Sequence, residues 1–163
     1  MGQPRIVASR SGPAALLAIF VLAACAGGAG AARVVAFQDI ASAATSRHEG
    51  GPEIIVGTSD VARARIASLR PGLTLPDGVV LVAVFQGQQR TGGFAIRITT
   101  IERDGDRLVV RAIFAKPLEN AIVTQALSSP VHIVSISTSA LAGLRQAVLV
   151  DDTGAERARA GLT

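Results

Sequence analysis

The stretch FAIRITTIERDGDRLVVRAIFA, from Phe94 to Ala115, constrains this chain more than any other. Phe94, Ile96 and Ile98 alternate with Arg97 and Thr99, and Leu108, Val110, Ala112 and Phe114 alternate with Arg111. Such alternation puts the apolar set on one face of a pleated strand and the polar set on the other. Asp104-Gly105 separates the two runs, and Asp-Gly suits the tight turn whose twist matches two antiparallel strands. The reading is a β-hairpin with one buried face. Ile101 falls on the parity opposite to Ile98, which predicts a bulge near Thr99 or Thr100.

Other segments extend this pattern. VVLVAVFQ (79–86) is apolar on both faces and reads as a central, covered strand. RVVAFQDI (33–40), EIIVGT (53–58), NAIVTQAL (120–127) and VHIVSIST (131–138) are further strand candidates, and RQAVLV (145–150) reads as a final edge strand. One helix is expected in SDVARARIASLRPG (59–72). Thr58 or Ser59 can cap it, Ala62, Ile66 and Leu69 form its apolar stripe, and Pro71-Gly72 ends it. The expected fold is α+β and mostly β: a compact antiparallel sheet or small sandwich with one helix. A length of 163 residues suits one core, and with 3% aromatic residues and no Trp or Tyr that core is built from Val, Ile, Leu, Ala and a few Phe.

The amino terminus reads as an export signal: Arg5 and Arg10, then PAALLAIFVLAA (13–24), then small residues. LAAC, Leu22 to Cys25, resembles the lipobox of bacterial lipoproteins. That resemblance implies lipidation of Cys25, cleavage before it, and an anchor of two or more acyl chains, enough for stable membrane attachment. The competing reading is an ordinary signal peptide cleaved after AGA (29–31). Ala26 follows the cysteine where Asp would signal inner-membrane retention in some bacteria, so the expected site is the outer membrane or periplasmic face of a bacterial envelope. The expected partition is a signal peptide over 1–24, a flexible tether over 25–33, a domain over 34–150 and a disordered tail over 151–163.

Removing residues 1–24 leaves 14 Lys+Arg against 12 Asp+Glu. These charges are scattered and lack interleaved aromatics, so nucleic acid is not the expected partner. A lone cysteine excludes an intrachain disulfide. His48, His132 and Cys25 make no familiar zinc site, and no metal or cofactor is expected. Ser128 or Ser129 with His132 and Asp104 is a formal Ser-His-Asp set without a nucleophile elbow. His132 shares strand parity with Val134 and Ile136 and reads as a hydrogen-bonded structural histidine. In VFQGQQRTGGFAI (84–96), Gly87 and Gly92 have the spacing of a phosphate loop, but Gly93 and Phe94 stand where Lys and Ser/Thr would be needed.

AVFQGQQRTGGFAIRITTIERDGDRLVVRAIFAKP, followed by VTQALSSPVHIVSI, resembles the PrcB C-terminal domain family, also called the protease complex subunit PrcB family. The resemblance covers 79–136. Its elements are a strand ending at Gly87, a turn at Thr91, Gly92, Gly93 and Phe94, the Asp104-Gly105 hairpin, and a strand carrying Pro130, His132 and Val134. Phe94 stands where Tyr is usual in the family. The resemblance implies a secreted or lipid-anchored accessory domain of a surface protease complex, without catalysis. The leading expectation is an envelope interaction module whose partner-binding tip includes Arg90, Thr91 and Phe94. A second is a protease inhibitor, because TGGF weakly resembles the TTGY loop of chagasin-like inhibitors. The third is an envelope enzyme acting through His132.

Overall fold

A computed structural model describes residues 32–162; the expected signal segment, Cys25 and nearly all of the tether lie outside the described residues. The chain runs β1 (Arg33–Val34), β2 (Phe37–Ala43), β3 (Glu53–Gly57), α1 (Asp60–Leu69), β4 (Val80–Phe85), β5 (Ala95–Asp104), β6 (Arg107–Ala115), β7 (Val131–Ile136), β8 (Gln146–Val150) and β9 (Glu156–Gly161), with a 3-10 turn at Thr138–Leu141. Five strands form one sheet in the order β1-β5-β6-β8-β9, and four form a second in the order β2-β7-β4-β3. All pairings are antiparallel except β6 with β8. The mostly β architecture with one helix is as expected.

Two apolar layers hold it together. Val80, Val82 and Val84 of β4 and Val134 and Ile136 of β7 face Ile96, Ile98, Ile101, Leu108, Val110, Ala147 and Leu149 of the five-stranded sheet. On the opposite face, Leu81, Ala83 and Phe85 of β4 and Val131 and Ile133 of β7 pack with Ile66 of α1. Strands β4 and β7 are therefore covered on both sides, which is why 79–86 has no polar face. Ile66 is fully buried, a burial that contributes roughly 1.5–3 kcal/mol. The helix starts where Ser59 accepts the Ala62 N–H at 3.3 Å and stops before Pro71, which has no N–H to continue it.

The β5–β6 hairpin turns at Asp104-Gly105, and its register shifts between Ile98 and Thr100, where the parity change predicted a bulge. Four expectations are corrected. The run 33–40 is not one strand: Arg33–Val34 pairs with β5 and Phe37–Ala43 pairs with β7, so the chain changes sheets between them. Segment 120–127 is a loop, not a strand. It follows Pro117 and a turn closed by the Ala121 N–H to the Leu118 carbonyl, and Ile122 is fully exposed, so its apolar residues have no sheet edge to join. β8 is interior to its sheet rather than an edge, flanked by β6 and β9.

The fourth correction explains the third. The segment 151–163 is not a disordered tail, because 156–161 forms β9 and extends the domain beyond 150. Asp151 Oδ1 accepts from the Thr153 N–H, the Thr153 hydroxyl and the Ala155 N–H at 2.6–3.0 Å, which folds the chain back on itself. The Thr153 hydroxyl is the main reason the Asp151 carboxyl is held below its ordinary range. Ala158 and Ala160 then pack towards the inter-sheet core, while Arg159 pairs with Glu156 at 2.8 Å. Deleting 156–163 is expected to lower the thermal unfolding midpoint by roughly 5–10 °C, equivalent to about 2 kcal/mol or more. An unchanged midpoint in calorimetry would return this segment to a frayed tail.

Candidate functional site

The glycine-rich connection leaves β4 and is fastened on two sides. The Gln86 N–H donates to the Pro130 carbonyl, Gln89 and Ser128 exchange backbone bonds at 2.8 and 3.0 Å, and the Gly92 N–H donates to the Thr124 carbonyl at 2.9 Å. The Ser128 hydroxyl donates to the Thr91 carbonyl at 2.7 Å. Residues 86–93 thus lie alongside 117–130 rather than standing free. Gly87 has φ +89, and a Cβ there would meet the Gly50 oxygen and Gly51 carbon at 2.8 Å. Gly93 has φ +85, and its Cβ would sit 2.9 Å from Pro117. At Gly92 the obstacle is the Thr124 side chain.

This places the expected site residues in two groups. Arg90 is exposed, Thr91 and Phe94 are half-buried, and all three sit on the bend. Beside them, on the 117–130 loop, Leu118, Ile122 and Leu127 are 84%, 104% and 62% exposed. These three apolar side chains were missed in the sequence because 120–127 read as a strand; Pro117 and the absence of a partner strand are what free them. Pro130 and His132 are both buried: Pro130 ends the loop and fastens the start of the bend through its carbonyl, while His132 points between the sheets.

His132 is 4% exposed and uses both ring nitrogens. Nδ1 accepts the Ile98 N–H at 3.0 Å, which joins the bulge of β5 in one sheet to β7 in the other. Nε2 lies 3.1 Å from Asp39 Oδ1 of β2. Because Nδ1 accepts, the ring proton sits on Nε2 and donates to the carboxylate. Burial, opposed by Asp39 and aided by Arg97, keeps the His132 pKa below its ordinary 6.5. A cavity of about 310 Å³ opens beside it, lined by Asp39, Ile40, Ala41, Ser42, Arg97 and His132. With one nitrogen accepting a buried N–H and the other donating to Asp39, the imidazole is placed to hold the sheets together. No lone pair is free to take a proton.

The formal Ser-His-Asp set is not assembled. The Ser128 and Ser129 hydroxyls donate to the Thr91 and His48 carbonyls, His132 pairs with Asp39, and Asp104 pairs with Arg107 across the hairpin turn. A second buried histidine, His48, packs tilted against Phe85 with ring centroids 5.0 Å apart. Its Nδ1 is 3.0 Å from Glu53 Oε2 and its Nε2 2.6 Å from the Gly51 carbonyl. It fastens the 44–52 connection under β4, a role that no local pattern marks. Among the described residues, no group of three or more His, Cys, Asp or Glu gathers as a metal site, and no helix is long and apolar enough to cross a membrane.

Residues 80–137, from β4 to just past β7, match the family model described as PrcB C-terminal, the family that the sequence motifs resemble. No curated protein and no solved structure matches the chain.

Two measurements check this geometry. Gly87→Ala combines a left-handed backbone with contact against backbone atoms, so urea unfolding should show a loss of about 2 kcal/mol or more. His132 is neutral when folded and has a lowered pKa. As the pH falls through about 6.5 the unfolded chain takes up the proton first, so the stability present above that value is lost down to the folded pKa. His132→Gln keeps an acceptor for Ile98 and a donor for Asp39, and its unfolding free energy should fall less than the parent's between pH 7.5 and 5.

Proposed function

We propose that this chain is a lipid-anchored accessory domain of the bacterial envelope that binds a partner protein, with a surface protease as the partner class, and that it has no catalytic role of its own. The observation that carries this reading is the surface made by the bend and its neighbouring loop: exposed Arg90 with half-buried Thr91 and Phe94 beside exposed Leu118, Ile122 and Leu127. An arginine next to a small apolar group suits protein contact, where a desolvated anchor is ringed by polar groups. Glycines that hold the two loops together fix that surface on the rigid ends of β4, β5 and β7.

The family match over 80–137 supports the protease-complex association that the sequence resemblance implies. The lipobox LAAC, with Cys25 as the modified residue, supports anchoring at the outer-membrane or periplasmic face. The engaged ring nitrogens of His132 support the non-catalytic reading over an envelope enzyme. An inhibitor that inserts Thr91–Phe94 into a cleft would need a free loop, and here Thr124, Ser128 and Pro117 pin it.

Leu118→Asp with Ile122→Asp changes two exposed side chains, so the thermal midpoint should stay within about 1–2 °C of the parent's. Crosslinking from native envelopes with the parent chain should recover a protease by mass spectrometry, and the double variant should recover at least about tenfold less, a loss of ~1.4 kcal/mol. Equal recovery with both chains, or no protease with either, would overturn the assignment. Lowered activity of the recovered protease on adding the purified chain would identify inhibition rather than scaffolding.

A further inference from the structure

Arg33 of β1 lies directly opposite Arg103 of β5 in the antiparallel register. Directly opposed residues share a face, and Arg103 has the parity of Ile101, whose partner across the hairpin, Val110, is buried in the inter-sheet core beside Leu108. Both guanidinium groups therefore project to the inner side at the end of the sandwich. Like charges directly opposite each other weaken a strand pair. Arg103 Nη2 donates to the Ala142 carbonyl at 2.6 Å, which fixes its position without cancelling its charge.

A cavity of about 430 Å³ opens at this point, lined by Arg33, Arg103, Ser137 and Ser139 together with Val35 and Ala140 and nearby backbone. No carboxylate lines it. The chain leading into Arg33 supplies none either, because the first acid in the sequence is Asp39. Glu102, next to Arg103, has the opposite parity and faces Arg111 at 3.7 Å. Two forked donors with charge +2 in total line this space, the Ser137 and Ser139 hydroxyls share a 2.8 Å hydrogen bond at its edge, and among the described residues no carboxylate lines it.

We propose that this cavity binds a phosphoryl group, held by paired hydrogen bonds from the Arg33 and Arg103 guanidiniums with Ser137 and Ser139 at its rim. Guanidinium forks match two oxygens of a tetrahedral oxyanion, and a bound dianion turns the opposed arginines from a cost into a clamp. The group can come from a soluble phosphate or from a phospholipid headgroup. Under the anchoring proposed above, the cavity lies eight residues from Cys25, within about 28 Å of extended chain. The anion chemistry itself does not depend on that anchoring.

The test uses the full chain, isotope-labelled, in a nonionic maltoside detergent, titrated with inorganic phosphate against chloride at constant ionic strength. The amides of Arg33, Arg103, Ser137 and Ser139 should shift saturably with phosphate, with half-saturation in roughly the millimolar range. Arg33→Gln/Arg103→Gln should weaken binding about tenfold or more. Arg33→Gln alone keeps the Arg103–Ala142 bond and should weaken it several-fold, which preserves the test if the double variant does not fold. Without added phosphate, bilayer discs of phosphatidylglycerol that shift the same amides where phosphatidylcholine discs do not would identify the headgroup as the source. A response to free phosphate alone would identify a soluble ligand. No saturable shift in either medium, or the same shifts in Arg33→Gln as in the parent, would overturn the site.

Discussion

Strands β4 and β7 are paired to each other, buried on both faces, and apart from His132 and Ser135 of β7 carry only apolar side chains. An isolated pair of such strands cannot persist in solution, so the rest of the chain is organised as their cover. The β5–β6 hairpin with β8 and β9 closes one face through its alternating Ile, Leu and Val side chains, and α1 closes the other through Ile66. Only β2 and β3 remain to protect the lateral edges. The low aromatic content follows from this arrangement, because aliphatic side chains on facing sheets interdigitate closely without larger rings.

Polar groups inside that cover are few, and the two histidines among them each bridge separate elements. His132 Nδ1 accepts a backbone N–H at the β5 bulge and its Nε2–H donates to Asp39, so one imidazole joins β5, β7 and β2. His48 does similar work under the opposite face, between Phe85, Glu53 and Gly51. A buried histidine with both nitrogens engaged rigidifies its surroundings at the expense of reactivity. Among the described residues, both histidines are therefore part of the frame.

The family segment, 80–137, contains both doubly covered strands, the hairpin that faces them and the two loops that lie side by side. It does not contain α1, β3, β8 or β9, which finish the core from outside the match. The residues of the bend and of β7 divide accordingly. Gly87, Gly93 and His132 serve the packing of this segment, while Arg90 and the neighbouring apolar side chains remain at its surface.

Local order was readable directly from residue order. The hairpin, its Asp-Gly turn, the parity change that becomes the bulge, the helix with its Ser59 cap and the two-faced apolar strand all depend on neighbours within a few positions, where side-chain alternation and turn chemistry act. The sequence by itself also contained the glycine bend and the inward parity of His132 with Val134 and Ile136. What only the tertiary structure decided was partnership across the chain: β1 and β2 on different sheets, β8 parallel to β6, and the Asp39 partner of His132. It also turned 156–161 into a strand, left 120–127 without one, and brought Arg33 and Arg103 face to face. A strand's pattern states which face is apolar but not which edge it will meet. That choice depends on how all the covers fit over β4 and β7 at once.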